Sequence, residues 1–284
     1  MKENDFCAGI VSYQPDLARL EENLKHIAHQ VSKVYIVDNL SSRIDRIQEL
    51  TTAAGNAELI RNDHNNGIAK ALNQMCAKAI EDGYSWILTL DQDTVVPDNL
   101  METLIRHTDD LQIGIVCPGV IYEGQSMETS GTEQVEYVYA CMTSASLTRL
   151  EAWKKTGGFR EDYFIDFVDN EFCMKLSLNG YKVLRDNTCR MSHQLGETGV
   201  KKILGLFPYR YARHSPKRVY YMARNNAAFI REYKENLPVP KEKLKLIYVL
   251  WNEWLAAENR HETWKCIWQG LKDAKEGKMG EYER

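Results

Sequence analysis

The chain of 284 residues is long enough for one large domain or two small ones. Its formal net charge of −4, from 36 basic and 40 acidic side chains, lacks the basic excess that is typical of nucleic-acid-binding proteins. Seven cysteines without a CxxC pair indicate free thiols in a reducing compartment, so we expect a cytoplasmic protein. We find neither an apolar leader nor a run of about 18 uncharged apolar residues, and therefore expect neither export by that route nor a membrane-spanning segment.

Short β-rich runs alternate with amphipathic helical stretches over roughly the first 120 residues. The strands are predicted in "FCAGIVSY", "KVYIVDN", "AELIRN" and "YSWILTLDQD". This β-α-β-α-β-α-β order predicts an α/β fold with a parallel sheet covered on both faces, in which ligands bind where the strands end. Further along we expect more strands, a helix over Val168 to Asn179, and a helical remainder from about Pro208 onward.

Two aspartates, Asp91 and Asp93, follow the fourth predicted strand. Hard cations such as Mg²⁺ and Mn²⁺ prefer oxygen ligands, and a carboxylate pair at a strand end can hold a cation that also contacts two phosphates. A turn is the alternative, because aspartate is common in turns. The neighbouring polar strand ends favour the metal. His193, at the end of a later strand, is a candidate further ligand, although a lone histidine is more often structural.

Polar residues at the earlier strand ends suit a nucleotide. Asp38 ends the second strand, where a carboxylate can accept a hydrogen bond from a ribose hydroxyl or a base N–H. Capping of the next helix is the alternative. Gly67 stands where a loop enters a helix, so backbone N–H groups could face a ligand there, with Lys70 on the first turn.

An acidic segment rich in aromatic residues, "GGFREDYFIDFVDNEF", precedes the helix that is predicted from Val168. Acidic residues suit a helix N-terminus, but a carboxylate among aromatic rings also loses hydration, which raises its proton affinity and suits a general base. Later arginines among tyrosines suit diphosphate or sugar contact, with a solvated helix face as the alternative. The tryptophan-rich segment after them would pack on the core, rest on a membrane surface or form a subunit contact.

Seven motifs in this order resemble those of the family-2 glycosyltransferases of GT-A fold, and most of all the bacterial L-rhamnosyltransferase branch. They are "VSYQPD", "VDNLS", "NNGIAKALN", "LTLDQD", "GGFREDYFIDFVDNEFCMKL", "HQLG" and "RVYYMARNN". The resemblance implies an inverting enzyme that uses Mg²⁺ or Mn²⁺ and moves a sugar from a nucleotide diphosphate donor to an acceptor hydroxyl. It implies a mixed sheet flanked by helices in a catalytic domain over residues 1–207, followed by a helical C-terminal region over 208–284.

The resemblance also assigns residues to roles. Asp91 and Asp93 match the family's DxD motif, His193 matches a histidine that can complete the metal site, and Asp169 aligns with the catalytic base. The acid that usually precedes this base is missing here, which leaves Asp166 as a rival. Contacts to the nucleotide sugar are expected from Ser12, Tyr13, Asp38, Asn66, Gly67, Lys70, Asp91, Arg218 and Arg224.

The expected donor is dTDP-L-rhamnose, and the expected acceptor is a saccharide of O-antigen or a similar bacterial surface polysaccharide. Galactosyl, galactofuranosyl and glucosyl transfer by the same fold stay open, as does a non-catalytic nucleotide-sugar-binding module. A nucleotidyltransferase is disfavoured, because "SYQPDLARL" lacks the glycines and lysine of a phosphate loop. A lipid link on the acceptor, contact with the inner face of the plasma membrane and homo-oligomer formation are also left open.

Overall fold

The computed structural model describes residues 5–122, 133–193, 198–203, 207–212 and 214–282, with side chains described throughout these ranges except at 122, 192–193, 198–203 and 207–212. The predicted alternation of strands and helices is confirmed in the first part of the chain. Its elements are β1 (Phe6–Ser12), α1 (Leu17–Ala28), β2 (Val34–Asp38), α2 (Ile44–Ala53), β3 (Ala57–Arg61), α3 (Gly67–Glu81) and β4 (Trp86–Asp91).

The remaining elements are a mixture of strands and helices. They are α4 (Leu100–Ile105), β5 (Ile113–Tyr122), β6 (Val135–Val138), β7 (Ser146–Arg149), α5 (Leu150–Lys155), α6 (Val168–Leu178), β8 (Lys182–His193), β9 (Thr198–Ile203), β10 (Phe207–Ala212), α7 (Pro216–Glu232), α8 (Val239–Ala256) and α9 (Arg260–Glu276). Within the described ranges, no helix combines the length and apolar character needed to cross a bilayer.

Eight strands form one mixed sheet in the order β3-β2-β1-β4-β7-β5-β8-β6. The first four strands in that order are parallel, and the register pairs Ala8 with both Val34 and Leu88. The direction reverses at β7, which runs antiparallel to both β4 and β5. The carboxyl ends of β1, β2, β3 and β4 therefore lie at one edge of the sheet, where ligands of open α/β sheets bind.

The strands of the parallel half are continuous apolar runs because helices cover both faces of the sheet. All five residues of β2 are buried. Leu20, Leu24 and Ile27 of α1 belong to the same core cluster as the central strands, and α3 packs on β1 and β2. This core fixes the strand ends that carry the polar residues.

The chain divides by its internal contacts into two compact units. The first is Met1–Arg160 with Asp169–His193 and contains the eight-stranded sheet; the second is Glu161–Val168 with Gln194–Arg284. The domain boundary expected at residue 207 stays a prediction. The expectation of helix from about Pro208 was wrong at its start, because β10 pairs antiparallel with β9 and helix begins only at Pro216. Aromatic residues at every second position, Tyr209 and Tyr211, favour a strand there.

Helices α7 and α9 of the second unit are in close contact at Gly270. A Cβ atom at this position would lie 2.6 Å from the backbone oxygen of Tyr220 and 3.1 Å from both the Ala223 Cβ and the Arg224 backbone nitrogen. Two of these three neighbours are backbone atoms, which can give way only if a helix moves. The absence of a side chain at residue 270 therefore sets the distance between the two helices.

Replacing Gly270 with alanine is expected to lower the free energy of unfolding by about 1–3 kcal/mol, the usual cost of overpacking a close contact. Thermal denaturation followed by circular dichroism measures this change. Lys272→Ala, at an exposed position on the same helix, is the matched control and is expected to stay within about 0.5 kcal/mol of the parent. Equal melting temperatures for Gly270→Ala and the parent would contradict the close helix contact.

Candidate active site

Hydrogen bonds tie the ends of the first three strands to the start of α3. The Asn39 N–H donates to the Ser12 carbonyl at 2.8 Å, and the Asn62 N–H donates to the Asp38 carbonyl at 2.9 Å. The Asn39 side chain donates to the Gly67 carbonyl at 3.1 Å. The structure thus brings together Ser12, Asp38 and Gly67, which the sequence assigned to the nucleotide.

The Asp91–Asp93 loop is held through its backbone oxygens by two side chains of α1. The Asn23 amide donates to the Asp91 carbonyl at 2.8 Å, and the Arg19 Nε–H donates to the Asp93 carbonyl at 3.0 Å. These contacts fix the main chain of the loop. The Asp93 residue is exposed and Asp91 is half-buried. The two carboxylates therefore stand at the sheet edge on a loop whose backbone is already fixed.

Ser12 and Tyr13 connect β1 to this loop. The Tyr13 N–H donates to the Gln92 side chain at 2.8 Å, while the Tyr13 residue is 48% exposed. The Ser12 hydroxyl is buried without a hydrogen-bond partner among the described residues. Gln14 and Leu40, which follow β1 and β2, have positive φ angles of 48° and 66°. Such backbone is uncommon outside glycine and clusters at functional sites.

The buried Asp38 carboxylate is bound by its own turn. Its Oδ2 accepts the Ser41 N–H at 2.7 Å, and its Oδ1 accepts the Ser41 hydroxyl at 2.6 Å. Helix α2 begins later and has no side-chain cap, so Asp38 orders the turn and not the helix. Each oxygen keeps a second lone pair for a ligand donor. Its role in nucleotide binding stays a prediction.

The loop before α3 is arranged around Gly67, which has a positive φ of 78° and begins the helix. Its N–H donates to the Asn65 side chain at 3.0 Å, so this amide is already used within the loop. Asn66 is the N-cap residue and makes no side-chain cap hydrogen bond. Lys70 lies half-buried on the first turn. Contacts of Asn66, Gly67 and Lys70 with a nucleotide stay predictions.

Asp169 borders a cavity of about 310 Å³ within the first unit, and Asn170, Ser144, Met142 and Arg185 also line it. Asp169 lies in the first turn of α6, and its Oδ1 accepts the Asn170 N–H at 2.8 Å. This hydrogen bond orients the carboxylate beside the cavity. The predicted base thus borders a space large enough for part of a substrate.

Contacts of Phe172 and Lys175 hold α6 in place within the first unit. The Phe172 ring lies 4.2 Å from the Phe159 ring, measured between centroids. The Lys175 ammonium donates to the Gly158 carbonyl and pairs at 3.3 Å with Glu171, a carboxylate of its own helix. These residues fix the start of the helix, and with it the position of the carboxylate that precedes them.

Ser144 connects this cavity to the Asp91–Asp93 loop. The Asp91 N–H donates to the Ser144 hydroxyl oxygen at 3.2 Å, and the same hydroxyl shares a hydrogen bond of 2.7 Å with Thr94. Ser144 itself lines the cavity with Asp169. Ser144 therefore lies next to both the end of β4 and the cavity of the predicted base. A reaction that needs both a diphosphate site and a general base requires the two to be close.

The rival base, Asp166, belongs to the second unit. Its Oδ1 accepts hydrogen bonds from the Arg218 guanidinium, at 3.2 Å from Nη2, and its Oδ2 is buried without a described hydrogen-bond partner. Burial raises the pKa of Asp166, against the opposing effect of Arg218. Phe164, Asp166 and Phe167 all have positive φ angles, between 64° and 65°. Whether Asp166 acts as the base, and whether Arg218 contacts the donor, stay predictions.

Arg224 makes structural contacts within the second unit. It is fully buried, and its guanidinium donates to the carbonyls of Asp162 and Tyr163 at 3.2 and 3.1 Å. These hydrogen bonds give Arg224 a structural role, and its contact with the donor stays a prediction. The neighbouring Asn225 donates to the carbonyls of Tyr163 and Asp166, both at 2.9 Å. Sequence reasoning missed this function of Asn225, which holds the strained segment that carries Asp166.

The metal assignment rests on two carboxylates. Among the described side chains, no group of three His, Cys, Asp or Glu residues is arranged to hold a metal ion. The His193 side chain lies outside the described part of the chain. Mg²⁺ commonly binds through one or two carboxylates and takes its other ligands from substrate phosphates and water. The donor set of Asp91 and Asp93 fits a cation held in that manner, together with a diphosphate.

Two solved structures share this architecture. S. aureus TarS 1-349 in complex with UDP-GlcNAc matches with a TM-score of 0.59 and 15% identity, over 99% of this chain and 93% of that one. GalNAc-T7 with UDP, GalNAc and Mn²⁺ matches with a TM-score of 0.58 and 14% identity, over 95% of this chain and 56% of that one. The chain also covers 56% of the longer S. aureus TarS chain. At these identities the likeness establishes the fold, which is the predicted GT-A fold with a mixed sheet.

Sequence comparison gives the family. The dTDP-rhamnosyl transferase RfbF of Shigella flexneri is 28% identical over 250 residues, which cover 82% of this chain and 81% of the relative. The family profile described as "Glycosyl transferase family 2" matches residues 7–174, which is more than half of the chain and includes most of β1, the Asp91–Asp93 loop and Asp169. The chain therefore belongs to glycosyl transferase family 2.

Proposed function

We propose that this glycosyltransferase moves L-rhamnose from dTDP-L-rhamnose, with inversion, to a hydroxyl of a saccharide acceptor in the synthesis of O-antigen or a similar bacterial surface polysaccharide. One observation carries the chemistry: Ser144 lines the Asp169 cavity and also binds the backbone of Asp91. The choice of rhamnose is supported by the similarity to a relative named as a dTDP-rhamnosyl transferase.

Asp169 is the general base of the proposed reaction. Its carboxylate takes the proton of the acceptor hydroxyl, and the oxygen of that hydroxyl attacks the anomeric carbon of the sugar. The bond from that carbon to the diphosphate oxygen breaks, and dTDP leaves with the electron pair. Because the acceptor attacks directly, on the face opposite the leaving group, the configuration at the anomeric carbon is inverted.

The carboxylates of Asp91 and Asp93 hold Mg²⁺ or Mn²⁺ in this proposal. A bound divalent cation stabilises the negative charge that the diphosphate gains as it leaves. The fixed backbone of the loop supports this role, because Arg19 and Asn23 bind its carbonyls and hold the loop at the sheet edge. Two protein carboxylates suffice where phosphate oxygens supply further ligands.

The nucleoside lies at the ends of β1 and β2 in this proposal. The 48% exposed Tyr13 residue offers an aromatic face, and Asp38 offers two oxygens at a sheet edge where Ser12 and Gly67 also lie. Asn66 and Lys70, at the start of α3, are the other residues that we propose to contact the nucleotide.

Transfer with a panel of donors tests the proposed function. The protein is incubated with dTDP-L-rhamnose, UDP-galactose, UDP-galactofuranose or UDP-glucose and lipid-linked saccharides extracted from bacteria, and products are identified by mass spectrometry. We expect a rhamnosylated product from dTDP-L-rhamnose alone, with the linkage inverted relative to the donor. A product from one of the UDP-sugars alone would replace rhamnose as the donor sugar, and retention of configuration would exclude the single displacement.

A stripe of exposed apolar side chains runs along α8. Leu244, Ile247, Tyr248 and Trp251 are between 54% and 67% exposed and are spaced as i, i+3, i+4 and i+7. A helix of a globular protein normally turns such a stripe toward the core. Trp251 continues into a chain of ring contacts through Trp254 and Trp264 to Trp268. We call this surface the tryptophan face; it consists of Leu244, Ile247, Tyr248, Trp251, Trp254, Trp264 and Trp268.

The charges around the tryptophan face suit an anionic membrane surface. Lys241, Lys265 and Lys275 are exposed on the same two helices. Two acidic side chains of these helices are bound within the protein: Glu253 binds His214 at 3.0 Å, and the buried Asp273 accepts the Tyr220 hydroxyl at 2.8 Å. Tryptophan with lysine is the composition of interfacial helices. Contact with the inner leaflet would bring the protein to a lipid-linked acceptor.

Flotation with anionic liposomes tests this contact. Most of the parent protein is expected to float with phosphatidylglycerol vesicles, and Trp251→Asp is expected to weaken binding at least about 10-fold, because burial of one large apolar side chain contributes about 1.5–3 kcal/mol. Leu111→Asp, at an exposed site in the first unit, is the matched control and should float like the parent. Failure of the parent to float, with a dimer in sedimentation that Trp251→Asp dissociates, would assign the tryptophan face to a second copy of the chain.

A further inference from the structure

Three cysteines from separate elements meet beside the Asp169 cavity. Cys117 lies in β5, Cys141 in the loop before β7, and Cys173 in α6. Cys117 and Cys141 line the cavity itself, while Cys141 and Cys173 line a second, much smaller cavity that Asp169 also borders. The Cys173 sulfur lies 4.0 Å from the Cys141 carbonyl oxygen. Cys141 is therefore the member common to both cavities, and the proposed reaction uses none of the three.

Cys141 is also the one cysteine residue of the chain that is not fully buried. All seven cysteines lie in the described ranges and carry free thiols, and the other six are buried. The Cys141 residue is partly exposed and lines the Asp169 cavity. Because a buried thiol reacts only when the protein opens, we expect Cys141 to react before the others.

The surroundings favour the thiolate form at Cys141. Hydrogen bonds from the Cys117 and Cys173 thiols, together with the Arg185 guanidinium that lines the same cavity, lower the pKa of Cys141. The same hydrogen bonds and burial raise the pKa values of Cys117 and Cys173. Because the thiolate is the nucleophilic form, the lowered pKa of Cys141 supports the reactivity expected from its place on the wall of the cavity.

We propose that Cys141 is a covalent modification site, at which soft electrophiles and peroxides react in the folded protein and close the Asp169 cavity. With an alkyl iodide, the sulfur bonds to carbon and iodide leaves. With hydrogen peroxide, the thiolate attacks one oxygen, the O–O bond breaks, the sulfur is oxidised to sulfenic acid, and the hydroxide released takes a proton to become water. The Cys117 thiol then displaces the sulfenic hydroxyl, which leaves as a second water with the Cys117 proton, and a disulfide forms.

The effect on transfer rests on the proposed function, whereas the site itself does not. An adduct on the Cys141 sulfur occupies the space that an acceptor needs beside Asp169, because both residues line the same cavity. Oxidation to a disulfide pulls the loop of Cys141 toward β5 at the same point. Either change is expected to stop transfer without removing the carboxylates of the Asp91–Asp93 loop.

Differential alkylation of the native full chain tests the site without any assay of activity. The protein is treated briefly with limiting iodoacetamide, quenched, denatured and treated with isotopically heavy iodoacetamide, and the light-to-heavy ratio at each cysteine is read by mass spectrometry. We expect Cys141 to react at least about 10-fold faster than Cys7 and Cys76, which are buried and serve as internal controls. Equally slow labelling at all seven positions, or faster labelling elsewhere, overturns the proposal.

Two further experiments distinguish a failure of the proposed modification site from a failure of the proposed function. Hydrogen peroxide should yield a peptide pair that links Cys141 to Cys117 and disappears on reduction; oxidation of other cysteines first contradicts the proposal. Transfer should fall in proportion to Cys141 labelling, while Cys141→Ser, or Cys141→Ala if the serine variant folds poorly, should keep most of its own untreated activity under the same reagent. Rapid labelling of Cys141 in a protein that transfers no sugar from any donor would support the site and refute the proposed function.

Discussion

Replacing Asp169 with asparagine is expected to lower turnover at least about 10²-fold, the usual effect of losing a general base. Asparagine has nearly the same size, and its side-chain oxygen can keep the hydrogen bond from the Asn170 N–H. It cannot take the proton of an acceptor hydroxyl. Donor binding should therefore stay nearly unchanged, and steady-state kinetics together with calorimetric titration of dTDP-L-rhamnose measure the two quantities separately.

Two further variants make this result specific. Asp109→Asn removes an exposed carboxylate of the first unit and should leave turnover unchanged. Asp166→Asn tests the rival base, and we expect a smaller loss, because Asp166 is paired with Arg218 and does not line the described Asp169 cavity. Collapse of turnover in Asp166→Asn, with near-normal turnover in Asp169→Asn, would move the role of base to Asp166.

Replacing Asp93 with alanine is expected to remove the metal-dependent part of donor binding and to lower transfer at least about 10²-fold. The exposed Asp93 carboxylate stands on a loop that Arg19 holds through the Asp93 backbone oxygen. Truncation of the side chain leaves that contact in place, so the loop should keep its conformation. Donor titrations with and without Mn²⁺, followed by assays of transfer, measure the loss.

The matched control for Asp93 is Asp98→Ala. Its carboxylate is 75% exposed in the connection between β4 and α4, and it contacts His26 at 3.1 Å and His29 at 3.7 Å. A carboxylate in such exposed surface contacts contributes little, so transfer and its metal dependence should match those of the parent. Equal metal-dependent binding by Asp93→Ala and Asp98→Ala would show that the Asp91–Asp93 pair serves the turn and holds no metal.

The parallel half of the sheet could be predicted from the sequence, because each of its strands and helices is encoded by a pattern of neighbouring residues. β2 and β4 are short apolar runs bounded by polar residues, and the helices between the strands repeat their apolar residues at helical spacing. The use of local patterns also explains why helix was wrongly predicted from about Pro208, where the structure has β10. A long helical region from Pro216 follows directly, and the alternation of aromatic residues in β10 spans only six residues.

The candidate site was predicted in part. The strand-end residues Ser12 and Asp38 meet near Gly67, as expected from the edge of a parallel sheet. Arg224 could not be placed from sequence, because arginine among tyrosines gives the same pattern on a solvated face and in a core. Its carbonyl partner in Tyr163 lies 61 residues earlier in the chain. Only the tertiary structure brings the two together.

The cluster of three thiols could not be predicted from the sequence. Cys117, Cys141 and Cys173 match no known motif spacing, and each cysteine by itself is an ordinary core residue. The cluster arises because β5, the loop before β7 and α6 converge beside one cavity. By contrast, the local bond between Asp38 and Ser41 spans three residues and could have been anticipated as a turn.

Thermal denaturation with dTDP-L-rhamnose, in the presence and absence of Mn²⁺, tests metal-dependent donor binding, because a ligand that binds only the native state raises the melting temperature. At a ligand concentration near 100 times the dissociation constant, stabilisation by about 2.7 kcal/mol should raise the melting temperature by about 5 °C. We expect this rise with Mn²⁺, a smaller rise without it, and no rise with UDP-glucose or UDP-galactose. An equal rise with every nucleotide sugar, or none with dTDP-L-rhamnose, would contradict this expectation.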